Sequence, residues 1–122
     1  VLIKDNHLAL VGSISEAVRR AREKGGRGAI IEIEVADFTA AREAVAAGAN
    51  RIMLDNMPLN RIKPVILWLK GRVPVEVSGK VSLDRARRIA GLGVEYISVG
   101  GLTHSFSSVD ISFEFKEGRQ DA

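Results

Sequence analysis

The chain has 122 residues, 46% of them apolar and 27% charged, with a formal net charge of +3. That length supports one domain with a modest core, and no apolar run approaches the ~18–20 residues of a membrane span. With no cysteine present, disulfide frameworks, cysteine nucleophiles and thiolate metal sites are excluded.

The first apolar run, Leu2-Ile3, ends in Lys4 and is followed by the polar group Asp5-Asn6-His7, read as a loop. The Val1 start lacks an initiator Met, so the sequence reads as a piece of a longer protein. Ser13-Ile14-Ser15-Glu16 has the form of a capping box, which predicts a helix after Ser13. Apolar residues at 14, 17, 18 and 21 keep helical spacing until Gly25-Gly26. Residues 30–35 alternate, carry β-branched side chains and predict a strand with carboxylates at Glu32 and Glu34. Asp37 can cap an Ala-rich helix that runs to Gly48, and residues 51–54 predict the next strand. Pro58 suits a first helical turn, but Pro64 predicts a kink, or a short turn with the helix starting near Pro64. Residues 73–77 predict a strand, Ser82 a cap for a helix over 83–91, and residues 95–99 another strand. After Gly100-Gly101 a short connection leads to a last strand-like stretch at 109–115, then the polar tail 116–122.

This alternation of strands and helices predicts an α/β fold with a parallel sheet, its strands apolar at most positions because both faces are covered. The run ends Lys4, Glu34, Asp55, Gly79 and Gly100 are separated by 30, 21, 24 and 21 residues. That short period fits a parallel β/α repeat in a TIM-like barrel, and a complete barrel needs about 250 residues. The chain is therefore expected to form about half of an incomplete barrel, with residues 1–115 as the domain. In such barrels chemistry collects at the C-terminal ends of the strands, so the five run ends should converge on one site.

Glu34 and Asp55, at consecutive strand ends, could hold Mg²⁺ or hydrogen-bond a vicinal diol. Glu32 and Glu76 lie on strands at different parities from some neighbours, and a structural ion pair weighs equally with a direct role. Lys4 offers a point charge for a phosphate or pyrophosphate, while His7 could be a proton donor or simply a loop residue. Ser78-Gly79-Lys80 and Val99-Gly100-Gly101 are glycine-bearing turns that let backbone N–H groups approach an anion. His104, in Thr103-His104-Ser105, could contact an anionic group. No nucleophile elbow exists, and two isolated histidines argue against a zinc site. The basic clusters Arg19, Arg20, Arg22, Lys24, Arg27 and Arg85, Arg87, Arg88 read as solvated helix faces, with no nucleic-acid motif beside them. The positive balance also suits a polyanionic small molecule.

Five segments in order carry a family resemblance: Ile3-Lys4-Asp5-Asn6-His7, Glu32-Ile33-Glu34-Val35, Ile52-Met53-Leu54-Asp55-Asn56, Glu76-Val77-Ser78-Gly79 and Ile97-Ser98-Val99-Gly100-Gly101-Leu102-Thr103-His104-Ser105. Together they resemble the C-terminal part of the quinolinate phosphoribosyltransferases, over the chain up to about Phe115. The resemblance implies a type II phosphoribosyltransferase with an incomplete α/β barrel and a separate N-terminal domain. It implies conversion of quinolinate and phosphoribosyl pyrophosphate to nicotinate mononucleotide, pyrophosphate and CO₂ with Mg²⁺, in de novo NAD synthesis.

By the same resemblance, Lys4 contacts the pyrophosphate or the quinolinate carboxylates. Glu34 and Asp55 hold the ribose hydroxyls and associated Mg²⁺. Ser78, Gly79 and Gly100 cradle the 5′-phosphate, with His104 nearby. The resemblance further implies a cytoplasmic homodimer or higher oligomer in which a neighbour's N-terminal domain completes the site. The arginine-rich quinolinate pocket of the family precedes this segment, so the fragment alone is expected to be inactive. Two departures stand out: Lys80 stands where many members have a second Gly after Ser-Gly, and Pro64 interrupts a helix that is usually regular. A related transferase for another base, such as nicotinate, or a molybdenum-linked homologue, and a non-catalytic phosphate-binding half-barrel remain open alternatives.

Overall fold

The computed structural model describes residues 1–105 and 107–113. Five parallel strands pair in sequence order: β1 (Leu2–Ile3), β2 (Glu32–Val35), β3 (Arg51–Asp55), β4 (Val75–Ser78) and β5 (Tyr96–Ile97). Order without any reversal is that of a barrel wall, since a doubly wound sheet would switch direction at its first strand. Helices α1 (Asp5–Val11) and α2 (Ile14–Gly25) join β1 to β2. Single helices α3 (Phe38–Ala46), α4 (Leu59–Leu69) and α5 (Leu83–Ala90) make the later connections. A 3₁₀ turn, Gly100–Leu102, follows β5. The α/β half-barrel expected from the repeat spacing is the architecture found.

The register gives every strand two unlike faces. Ile3, Ile33, Ile52 and Val75 lie in one row and Val35, Leu54, Val77 and Ile97 in the next, all on the same face. Helix residues spaced three or four apart meet them, as Ile62, Val65, Ile66 and Leu69 of α4 do in the same buried cluster. The alternate residues Lys4, Glu32, Glu34, Arg51, Asp55, Glu76 and Ser78 project from the opposite face. The expectation of strands apolar on both faces is thus corrected: helices cover one face only, and the other carries the polar side chains.

Local chemistry explains where helices begin. Ser13, Asp37 and Ser82 each accept a hydrogen bond from the backbone N–H three residues on, at Glu16, Ala40 and Arg85. The second half of the predicted capping box does not form, because the Glu16 carboxylate turns to Arg19 and Arg20.

Four expectations are corrected. Residues 5–11 are helical, and the His7 ring folds back so that its Nδ1 accepts the Lys4 N–H at 3.0 Å. Pro64 lies inside one continuous α4, so the expected alternative of a short turn with the helix starting near Pro64 does not occur. It is exposed, as is Asn60, so the carbonyl that loses its donor can be solvated. The strand expected at 109–115 does not form over 109–113, where Val109, Ile111 and Phe113 are exposed. An alternating segment needs a strand edge to pair with, and β5 offers only two residues. Residues 114–122, which include the predicted polar tail, lie outside the described residues. Finally, Arg22 and Arg85 are not merely solvated. Arg22 donates to the carbonyls of Ala29 and Gly48 and to Asn50 Oδ1, tying together the loops beneath β2 and β3. Arg85 donates to the Met57 carbonyl at 2.6 Å.

Candidate active site

The residues singled out at the strand ends come together at one end of the sheet, in two adjoining parts. Asp55 and Ser78 are register partners, as β3 and β4 run out side by side. Extending the β1–β2 register by one residue sets Lys4 opposite Glu34.

The acid part is built on β1, β2 and β3. Burial pushes the Glu34 carboxyl above its ordinary range; the nearby Asp55 charge adds to this and Lys4 opposes it. Glu34 therefore senses both charges across the uncovered face. Asp55 is oriented by Asn56, whose Nδ2 donates to Asp55 Oδ2 at 2.6 Å. Asn56 itself sits in the left-handed region at φ 50°, and its N–H donates to the Ser78 carbonyl at 3.1 Å. The short Asn side chain tolerates that conformation better than most residues.

The anion part is a cavity of about 450 Å³ whose lining includes Ser78, Gly79, Lys80, Gly100 and His104. The two glycine turns after β4 and β5 are thus walls of a single pocket, joined by the start of α5 at Ser82. Gly79 is required by space, while at Gly100 the close neighbour is the His104 side chain. A Cβ on Gly79, which has φ 87°, would lie 2.6 Å from the Asn56 backbone nitrogen. A Cβ on Gly100 would lie 2.5 Å from His104 Nε2, so the imidazole lies directly against that glycine. His104 Nδ1 is 2.9 Å from Ser105 Oγ, which helps to hold the ring.

Lower on the same face runs an ionic layer that the sequence reading left divided. Arg51 reaches Glu32 at 3.4 Å and Glu76 at 3.6 Å, and its guanidinium lies 3.9 Å from the centre of the Tyr96 ring. Ser98 donates its hydroxyl to Glu76 Oε1 at 2.5 Å. Among the described residues Glu32 Oε1 is buried without a hydrogen-bond partner. Burial pushes the Glu32 carboxyl up to about 7, with the Glu76 carboxyl beside it adding to the rise and Arg51 opposing it. Glu32 and Glu76 share the face of Glu34 and Asp55, contrary to the reading of mixed parity. They hold β2, β3, β4 and the β5 exit together beneath the site. The missed partners were Arg51, Tyr96 and Ser98. Their signal was available as alternation: each stands an even number of residues from a site position on its own strand or strand exit.

The two acids suit a hard cation that keeps other ligands of its own. Among the described residues no group of three or more His, Cys, Asp or Glu could by itself hold a metal ion. Mg²⁺ bound through one or two carboxylates and a ligand's phosphates needs no such cage.

Residues 1–114 match the family described as quinolinate phosphoribosyl transferase, C-terminal domain. A Bacillus subtilis protein named probable nicotinate-nucleotide pyrophosphorylase (carboxylating) is 42% identical over 114 residues, covering 93% of this chain and 39% of its own length. The Rattus norvegicus nicotinate-nucleotide pyrophosphorylase (carboxylating) is 36% identical over 122 residues, with 97% and 41% covered. The crystal structure of nicotinate-nucleotide pyrophosphorylase from Ehrlichia chaffeensis matches with a TM-score of 0.84 at 41% identity, over 90% of this chain and 40% of that one. A thiamine phosphate pyrophosphorylase from Pyrococcus furiosus, with a TM-score of 0.63 at 22% identity, shares the fold alone. The chain spans about two fifths of the length of these curated relatives. With the match running through 114 of its residues, the chain belongs to the quinolinate phosphoribosyltransferase family, as its C-terminal domain.

Proposed function

We propose that this domain is the phosphoribosyl-binding half of an enzyme that converts quinolinate and phosphoribosyl pyrophosphate to nicotinate mononucleotide, pyrophosphate and CO₂. The observation that carries the reading is the adjoining pair of subsites: a glycine-walled anion pocket beside two facing carboxylates and a lysine. A phosphorylated ribose has that same sequence of groups, with its 5′-phosphate at one end and a vicinal diol at the other.

In this reading Ser78, Gly79 and Gly100 receive the 5′-phosphate, and His104 closes that side. Glu34 and Asp55 take the ribose hydroxyls. Burial, with the Asp55 charge adding to it, raises the Glu34 pKa, and that cost is relieved when a diol donates to the two carboxylates or a divalent cation lies near. Mg²⁺, held by Glu34 and Asp55 through the substrate, would supply charge neutralisation for the departing pyrophosphate. Lys4 stands where it can add a positive charge on the same side. The C1–O bond of the donor breaks with its electron pair leaving on pyrophosphate, and the pyridine nitrogen bonds to C1. Loss of CO₂ then leaves an electron pair on the ring carbon, which takes a proton. The ribose is cationic in passing, so carboxylates fixed beside it stabilise the charge as it develops.

The dicarboxylate base needs cations that the described residues do not place at the site in number. The uncovered face and the exposed edge residues Leu2 and Tyr96 support completion by a further domain, contributed by a neighbouring subunit of a homodimer or higher homo-oligomer. Among the described residues no helix is long and apolar enough to cross a membrane. A polyanionic donor does not cross membranes unaided, which supports a cytoplasmic enzyme of NAD synthesis.

The test uses the intact protein and quinolinate labelled in its 2-carboxylate. Labelled CO₂ should appear only when the phosphoribosyl donor and Mg²⁺ are both present. No release, or release from the base alone, would overturn the assignment.

A further inference from the structure

Lys80 does not belong, conformationally, where it is found. It follows Gly79, and both residues have positive φ, 87° and 46°. The left-handed region is comfortable for glycine and costs most side-chain-bearing residues free energy. A turn needing only that geometry would be better served by a second glycine. The lysine is nonetheless there, and it lines the anion pocket with Ser78, Gly79 and Gly100. Of the described residues lining that pocket it alone carries a permanent positive charge, and no carboxylate is among them. Among the described residues no salt bridge engages it. A strained backbone that places an unpaired cation at the wall of this cavity is strain kept for function.

We propose that Lys80 is an additional ligand of the terminal phosphate, supplying to the pocket the charge that its backbone N–H groups and hydroxyls lack. The proposal rests on the reading of the pocket given above. Because the phosphate stays put while the bond at C1 breaks, Lys80 should bind ground state and transition state alike. It then sets affinity for the donor and leaves turnover unchanged.

Charge and conformation can be separated at this position. Lys80→Ala removes the charge and keeps the left-handed cost. Lys80→Arg keeps both. Lys80→Gly removes both. Inorganic phosphate is titrated into the intact protein by calorimetry, and thermal unfolding is followed for each variant without ligand. Lys80→Ala and Lys80→Gly should each weaken phosphate about tenfold, the usual scale of one charge-assisted hydrogen bond, while Lys80→Arg stays within about threefold. The KM for the phosphoribosyl donor should rise in parallel with kcat unchanged. Lys80→Gly should unfold at a higher temperature than the parent, so that stability and affinity move in opposite directions. A merely structural lysine would leave phosphate affinity untouched. Unchanged affinity in Lys80→Ala, with the parent binding normally, overturns the role of Lys80 and leaves the pocket standing. A parent protein that takes up no phosphate overturns the pocket itself and this proposal with it.

Discussion

The two faces of the sheet are written on the same short strands and do opposite work. Leu54 and Asp55 are neighbours in sequence, yet Leu54 is fully enclosed by helices and Asp55 looks onto the open side beside Glu34. The same alternation sets Ile33 and Val35 against Glu32 and Glu34, and Val77 against Glu76 and Ser78. The covered face holds aliphatic side chains that gain by leaving water, each contributing ~1.5–3 kcal/mol when fully buried. The open face holds groups that would lose by leaving it, and the structure keeps most of them solvated or paired, Glu32 Oε1 being an exception. Stability and chemistry are therefore separable by parity, one residue at a time.

The sharpest way to break that comparison is to change adjacent residues. Asp55→Ala should cut the rate of CO₂ release by about 100-fold, the scale of one fixed charge at a reacting centre, with little change in unfolding. Leu54→Ala should instead cost about 3 kcal/mol of stability through the cavity it leaves, while folded protein keeps its activity. Denaturant unfolding and steady-state rates on both variants check this; reversed effects would mean that the faces are wrongly assigned.

A smaller effect is expected in the ionic layer, which belongs to the open face but acts structurally. Removing the guanidinium in Arg51→Met leaves Glu32 and Glu76 side by side and should cost about 2 kcal/mol at pH 8. The loss should shrink toward pH 5. In the parent, the folded-state pKa of Glu32 is about 7 against an ordinary 4.5, so between those values the folded protein holds more proton than the unfolded. Stability from this group accordingly falls as pH rises through that window and is level above it. Without Arg51, which opposes the rise, the decline should steepen and extend to higher pH. A loss equal at pH 5 and pH 8 would show that the layer is packing alone. The smallest effect is at the outer surface: Pro64→Ala restores a donor on the exposed side of α4 and should raise the unfolding temperature by about 2–4 °C with activity unchanged.

Much of this was legible in the chain because strand ends in parallel repeats are marked twice, by an apolar run and by the polar residue that stops it. Lys4, Glu34, Asp55, Ser78-Gly79 and Gly100 are marked so, and all stand at one end of the sheet. What was not legible depends on contacts across the sequence. The helix at Asp5 has no Ser, Thr, Asp or Asn before it to announce it; its start is secured by His7 reaching back to Lys4. Pro64 reads as a breaker until its exposure is known. The ionic layer needed the register, because Arg51 meets Glu32 and Glu76 only when three strands are set side by side.

The tight approach of Gly79 to Asn56 has one more consequence. The turn after β4 and the turn after β3 touch, with no room between them for even a methyl group. Asn56 in turn grips Asp55 and the Ser78 carbonyl. The two subsites are thus a caliper with its jaws locked: the distance from carboxylate to anion pocket is fixed before any ligand arrives. On the function proposed above, a molecule that spans both would be selected by its length as well as its charge, and a sugar one carbon longer or shorter would satisfy only one jaw at a time.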